Sequence, residues 1–271
     1  MPLITISQDY GSHGYYAAQK IAQELQLELY DDETLREAAG KLRVETENLI
    51  ALKEQVPGFF DRHMGVKPDI YLDILQGVVY HMSSENKGVI VGHGSQVLLK
   101  DFGCALHVRI ISPVEKRVRY FMEKQGIEET LARKMVRSKD DESKGFFSYA
   151  FNMDINDPLL YDLVINTDKI GIETVISHII ELAKSNEITE CSIGALAIMK
   201  CRALELRIHA KLIQSGVITT GFSVEVTEPD RVLVHGFINN KAERQKIIEV
   251  LDTISGLNKV KVDVTVAPLY V

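Results

Sequence analysis

The sequence predicts an α/β protein: a parallel sheet with helices on both faces, followed by a small α+β module. Three observations predict it. Residues 1–184 alternate short apolar runs with amphipathic helices, as strands joined by helical crossovers do. The run Gly88–Gly92 (GVIVG) is apolar throughout, as a strand buried on both faces must be. Beyond residue 189 the order becomes α-β-β-α-β and ends on Val260–Val266 (VKVDVTV), whose strict alternation marks a half-buried strand.

Each element follows from local pattern. Leu3–Ser7 is a short apolar strand, and Gly11-Ser12-His13-Gly14 is a glycine-bearing turn. Tyr15–Leu25 is a helix, because Ala18, Ile21, Ala22 and Leu25 share one face. Leu27–Asp32 (LELYDD) reads as a strand. Asp31 or Asp32 then caps a helix over Glu33–Ala39 that Gly40 stops. Residues 41–64 are helical and broken at Pro57-Gly58, either a mobile insertion beside a substrate or an ordinary helical hairpin. Asp69–Ser83 is a further helix. After the strand Gly88–Gly92 come His93-Gly94-Ser95 and a helix over Gln96–Lys100, then a strand at Ala105–Ile111.

Ser112-Pro113-Val114-Glu115 reads as a capping box with proline at the first helical position, opening a helix that Gly126 stops. Glu128–Lys139 is the next helix. Residues 140–157 are polar and aromatic without a clean period; Leu163–Asn166 is a strand and Gly171–Ala183 a closing helix. A polar stretch at 185–189 separates residues 1–186 from residues 187–271. The second unit has a helix at Ile193–Gln214, strands at Ser223–Thr227 and Val232–Ile238, and a helix at Asn240–Ile254. Gly236 lies mid-strand, where a bulge or a close backbone approach is the usual cause.

Composition narrows the function classes. The chain has 271 residues, 45% hydrophobic and 25% charged, which suits a soluble globular protein with a sizeable core. Its net charge of −7 falls entirely in residues 1–186, since residues 187–271 hold ten basic and ten acidic residues. An acidic surface is a poor one for nucleic acid, so no nucleic-acid partner is expected. Cys104, Cys191 and Cys201 show no C-x-x-C pair, so neither a disulfide framework nor a zinc site is expected, and a reducing compartment fits. Residues 1–11 have no basic, apolar export pattern, and no apolar run reaches spanning length; a cytoplasmic location is expected.

A strand running through a glycine turn into a helix is suited to phosphate. The turn's amides and the helix dipole face the anion. The spacing departs from G-x-x-x-x-G-K-[ST], because Gly14 is followed by Tyr15, Tyr16 and Ala17, with no lysine before Lys20. The glycines therefore serve either a phosphate cradle or a plain βα turn. Ser12 is the one loop hydroxyl that could approach a metal, or else a turn residue. In parallel sheets ligands sit at the carboxyl ends of strands, where Gly11–Gly14, Asp31–Arg36 and Gly92–Ser95 converge.

The stretches ITISQDYGSHGYYAAQKIAQEL, LYDDETL, GVIVGHGSQVLL, ISPVEKRVRYFMEKQGIEETLARKMVRSKD and DPLLYDLVINTDKIGIETV together resemble the cytidylate-kinase-like family of P-loop proteins, over nearly all of residues 3–184. EVTEPDRVLVHGFINNKAERQKIIEVLDTISGLNKVKVDVTV resembles a BON domain. The first resemblance implies a P-loop kinase-like sheet, and phosphoryl transfer from ATP with Mg2+ to a nucleoside monophosphate such as CMP. The second implies a binding module for a lipid, a small ligand or a protein partner. No metal-ligating residue is assigned, and no oligomeric state is implied.

Within the first resemblance, Gly11, Ser12, His13, Gly14 and Tyr15 correspond to the phosphate loop. Tyr15 stands where the family often carries arginine, and His93 where it commonly shows an arginine after glycine. Arg36 could hold the monophosphate or be a solvated helix arginine. Arg133, Arg137, Lys139 and Lys144 fall where these kinases carry the lid, whose cations close on the transferring phosphates. The same four residues also fit a solvated helix face. Three functional readings result: an active nucleoside monophosphate kinase with an altered loop, a catalytically impaired nucleotide sensor with the BON-like domain as its output, or a structural or scaffolding protein in which neither pocket binds nucleotide.

Overall fold

The computed structural model describes residues 3–34, 37, 76–77, 79–80, 87–100, 102–189, 193–217, 219–228, 230–254 and 257–267. Arg36, the predicted helical hairpin at 41–64 and most of the helix expected at 69–83 lie outside the described residues.

Strands β1 (Leu3–Gln8), β2 (Leu29–Tyr30), β3 (Gly88–Val91), β4 (Ala105–Ile111) and β5 (Leu163–Asn166) form one sheet in the order β2-β3-β1-β4-β5. Every pairing is parallel; Ile4, for example, lies between Val89 and Leu106. β1 is central, and its alternate side chains enter opposite cores, as a doubly covered strand requires. Leu3 joins Ile90, Leu99, Phe102 and Phe147 on one face. Ile4 and Ile6 join helices α1 (Gly14–Leu25) and, later in the chain, α5 (Ile172–Ala183) on the other. α1 presents Ala17, Ala18, Ile21 and Ala22, and its small residues let it lie close to the sheet.

Because β3 and β4 flank β1 on opposite sides, the chain crosses the sheet between them. The carboxyl ends of β1 and β3 therefore open on a crevice, the usual ligand position in such sheets. Helices α2 (Ser95–Leu98), α3 (Val114–Gln125) and α4 (Glu129–Phe151) complete this side.

The expectations at α3 and α4 are corrected. Helix α3 begins at Val114 with Pro113 as its cap, and no side chain caps it. Ser112 forms no capping box; its amide donates to Asp9 Oδ2 at 3.2 Å, and Glu115 pairs with Arg133 instead. α4 runs on to Phe151 rather than ending near Lys139, burying Phe146, Phe147 and Ala150. The strand expected over Leu27–Asp32 shrinks to Leu29–Tyr30. Of the two aspartates after it, Asp31 is the cap, its Oδ1 accepting the amides of Glu33 and Thr34, each at 3.1 Å.

The polar stretch at 185–189 contains a short helix α6 (Asn186–Thr189), and α7 (Ile193–Gln214) leads into a second sheet. Strands β6 (Phe222–Glu228) and β7 (Arg231–Ile238) are antiparallel, and helix α8 (Lys241–Asp252) carries the chain over to β8 (Lys259–Val266), parallel to β7. Their core gathers Val224, Val234, Ile247 and Leu251 with Ile208 and Leu212 of α7. Met199, also on α7, is fully buried in the first core beside Val79 and Phe147, so this one helix belongs to both. Gly236 has φ of +133°, and a Cβ there would lie 2.6 Å from the Gly221 carbonyl oxygen; close backbone approach is the reason for glycine.

Cys104 is disulfide-bonded, whereas Cys201 is a free buried thiol. This corrects the expectation of a chain without disulfides. Wide spacing in sequence does not bear on distance in the fold. Among the described residues no helix is long and apolar enough to cross a membrane.

In the interior, Thr5 Oγ1 lies 2.8 Å from His107 Nδ1 across the β1–β4 pair. Burial pushes the His107 imidazole below the usual histidine pKa of 6.5, against a smaller upward pull from the Asp162 carboxylate. The folded state thus holds His107 neutral while the unfolded chain takes up a proton. Stability is expected to be full above pH 6.5 and to fall as pH drops below it towards the lowered value. Urea titrations between pH 8 and pH 5 on the chain and on His107→Gln should show the acid decline flattened in the variant.

Candidate functional site

The turn after β1 is held from below. Asp9 accepts from Arg109 Nη2 at 2.9 Å, and Arg109 Nη1 donates to Ser7 Oγ at 2.8 Å. Arg117 donates from Nε to the Ser112 carbonyl and from Nη1 to the Tyr10 carbonyl, and forms a two-point pair with Asp140 at 2.8 and 2.9 Å. Both guanidinium groups are buried, with side chains 5% and 4% exposed. They fix the turn to β4, α3 and α4. Gly11 has φ of +88°, and a Cβ there would stand 2.6 Å from the Phe121 ring, so the turn also packs flush on α3.

His13 comes next in the left-handed conformation, φ 68°, as the cap residue of α1, and its side chain makes no capping bond. Its ring meets Tyr120 edge-on with centroids 4.4 Å apart. Burial lowers its pKa, and the charges of Lys124 and Lys116 lower it further, so His13 is neutral at pH 7. The Ser12 hydroxyl is fully buried and donates to the Ile110 carbonyl at 3.1 Å.

Tyr15 opens the first turn of α1. Its hydroxyl donates to Asp31 Oδ2 at 2.8 Å, and its amide donates to Gln8 Oε1 at 2.9 Å. Desolvation pulls the Asp31 pKa up, but the amides of Thr34 and Glu33 and the Tyr15 hydroxyl outweigh it and hold the carboxylate below its usual value. The bond to that carboxylate, more than any other cause, raises the Tyr15 pKa.

Around the turn lies a cavity of about 600 Å³, a size common for small-molecule sites. It opens at the carboxyl ends of β1 and β3. Gln8, His13, Tyr15, Asp31, Tyr120 and Lys124 are among its lining residues. Lys124 donates to the Tyr120 hydroxyl at 2.7 Å and brings a cation to this wall. A second, polar cavity of about 210 Å³ adjoins it, lined among others by Asp9, Arg109, Arg117, Asp140 and Lys144. Gln8 and Ser143 line both.

The sequence-derived site residues divide accordingly. Gly11, His13 and Tyr15 line the large cavity, with Ser12 and Gly14 in the same turn. His93 is fully buried behind it, its Nε2 2.8 Å from Asp32 Oδ1. Lys144 lines the smaller cavity. Arg133 lines neither; it bridges Glu115 at 2.6 Å and Glu129 at 2.7 Å. Lys139 pairs with Glu142 on its own helix at 2.7 Å, and Arg137 is exposed on α4. Sequence pattern singles out neither Gln8 nor Lys124. Lys124 lies one helical turn beyond Tyr120 and so shares its face, a signal available in the sequence.

Magnesium and ATP, which the resemblance implies, need a cation, a free hydroxyl and open amides at the turn. Here the turn hydroxyl is spent inside the sheet, an amide is taken by Gln8, and Tyr15 supplies no charge. The residues of this turn do not fit a metal-bound triphosphate in the arrangement seen.

A parallel order of β2-β3-β1-β4-β5 with a glycine turn and helix at the switch point defines a kinase-like α/β protein. Residues 3–169 match the Cytidylate kinase-like family, and the chain belongs to that family. Residues 202–268 match the BON domain. An uncharacterized protein of known structure from Eubacterium ventriosum ATCC 27560 has a TM-score of 0.53 at 21% identity, over 69% of this chain and 100% of its own; it supports the fold alone. A shikimate kinase from Bacteroides thetaiotaomicron is more distant, with a TM-score of 0.40 at 14% identity over 68% of this chain and 99% of its own. A curated relative, uronate isomerase from Corynebacterium glutamicum, is 29% identical over 98 residues, which are 35% of this chain and 18% of the isomerase. The chain thus spans under a fifth of that relative, whose activity does not carry over.

Proposed function

We propose that this chain binds a nucleotide in the cavity at the Gly11–Gly14 turn and has lost the phosphoryl transfer of its kinase relatives. The observation that carries the reading is Tyr15. It stands where a cation would meet the phosphates, and its hydroxyl is bonded to Asp31. Removing a preorganised electrostatic donor costs on the order of 2–4 kcal/mol of transition-state stabilisation, a hundred- to thousand-fold in rate. The tie between His93 and Asp32 and the engagement of Arg133 by two glutamates favour the same reading. In this proposal the ligand class is CMP, or ATP without a bound metal ion, the cytoplasmic setting expected from the sequence is a separate point, and residues 187–271 bind a lipid, small ligand or protein as output. The disulfide at Cys104 is at odds with a reducing compartment, and fractionation with thiol labelling decides that point.

The test is titration calorimetry of the full chain with ATP and CMP, with a coupled ADP-release assay on the same sample. Binding without turnover is expected. Turnover would restore the active-kinase reading, and no binding at millimolar nucleotide would overturn nucleotide recognition itself. The full chain, rather than residues 187–271 alone, should also be tested against anionic lipid vesicles, because Met199 of α7 packs in the first core.

A further inference from the structure

Gln8 is the last residue of β1, and its side chain reaches over the turn to α1. The amide it takes belongs to Tyr15, in the first turn of a twelve-residue helix. Amides there have no partner within the helix and are the ones a phosphate oxygen takes. A carboxamide oxygen is an acceptor of the same kind. The fit is close: a Cβ on Gly14 would lie 2.6 Å from Gln8 Cβ and 2.7 Å from Oε1. The usual source of a cap is silent, since His13 makes no side-chain capping bond. Gln8 also borders both cavities. Beyond it, in the smaller one, lies Arg109, 95% buried, with a buried Nε that has no hydrogen-bond partner among the described residues.

We propose that Gln8 is an internal occupant of the phosphate seat, an autoinhibitory contact that a phosphoryl group must displace. This rests on the nucleotide-binding reading and deepens it. With Gln8 in place, the turn can accept phosphate only in the fraction of molecules whose carboxamide has swung away, and the apparent affinity falls by that fraction. Its displacement opens the large cavity to the smaller one, where Arg109, Arg117 and Lys144 outnumber Asp9 and Asp140 among the lining charges. Gln8 would then set how strongly this protein discriminates against ligands that lack a phosphate able to compete with it.

The test compares the full chain with Gln8→Ala and Gln8→Glu, using inorganic pyrophosphate and ATP as titrants and circular dichroism melting as a check on folding. Gln8→Ala is expected to bind both titrants roughly ten-fold tighter or more, because the competitor is gone. Gln8→Glu places a carboxylate in the seat and is expected to bind neither, while keeping an acceptor for the Tyr15 amide and hence a melting temperature near that of the parent. Binding by Gln8→Ala about ten-fold or more tighter than by a parent that binds ATP supports the proposal. Equal or weaker binding by Gln8→Ala, with the parent binding ATP, overturns it and leaves nucleotide recognition standing. No binding by any of the three overturns both.

Discussion

Arg117→Ala is expected to cost the parallel-sheet unit about 3–5 kcal/mol, read as a lower urea midpoint. The guanidinium is 4% exposed and meets three partners from different parts of the chain. Its loss strands the Asp140 carboxylate, one-fifth exposed, and leaves the Ser112 and Tyr10 carbonyls without their donor. Arg117→Lys should recover little, since an ammonium cannot reproduce the two-point pair. The double variant Arg117→Met with Asp140→Leu should recover more than half of the loss, because no charge is then left unpaired. If the double variant is as unstable as Arg117→Ala, the effect is one of packing and the electrostatic account fails. The Tyr10 carbonyl lies one residue before Gly11, so the single variant should also weaken nucleotide binding in calorimetric titrations with ATP.

The same residues explain which features are legible in the sequence and which are not. The parallel sheet, the glycine turn and the helix after it are legible because their signals are local: an apolar run, a glycine pair, an i, i+3, i+4 stripe. The extension of α4 is hidden because its apolar stripe breaks. Between Val136 and Phe146 the helix turns Asp140 inward, and that position is acceptable only because Arg117, 23 residues earlier, meets it there. Ser112 fails as a cap for a similar reason, its amide being claimed by Asp9 across 103 residues. Gln8 is hidden because phosphate-binding motifs place their side-chain chemistry after the turn, while this acceptor comes from the strand before it. In the sequence Tyr15 is a missing charge; the structure adds that its hydroxyl is tied to Asp31, which makes the absence part of a bonded arrangement.

That arrangement sets the terms for restoring a cation. Tyr15→Arg alone is expected to raise affinity for ATP by less than about ten-fold, because Asp31 would pair with the new guanidinium much as it now accepts the tyrosine hydroxyl at 2.8 Å. Asp31→Asn removes that competitor at little structural cost, since asparagine caps a helix as well as aspartate and keeps an acceptor for the Glu33 and Thr34 amides. The double variant Tyr15→Arg with Asp31→Asn is therefore expected to bind ATP up to about a hundred-fold tighter than the parent, near 2.7 kcal/mol, within the range of a single electrostatic donor at a phosphate. Asp31→Asn by itself should gain much less, which separates the added cation from the removed anion. Because arginine stays charged and the terminal phosphate is fully ionised above about pH 8, the gain should be constant from there to about pH 9. Binding of the double variant no tighter than that of Asp31→Asn would mean that the turn after β1 does not face the phosphates, and the ligand's place in the cavity would have to be sought along the Tyr120–Lys124 wall instead.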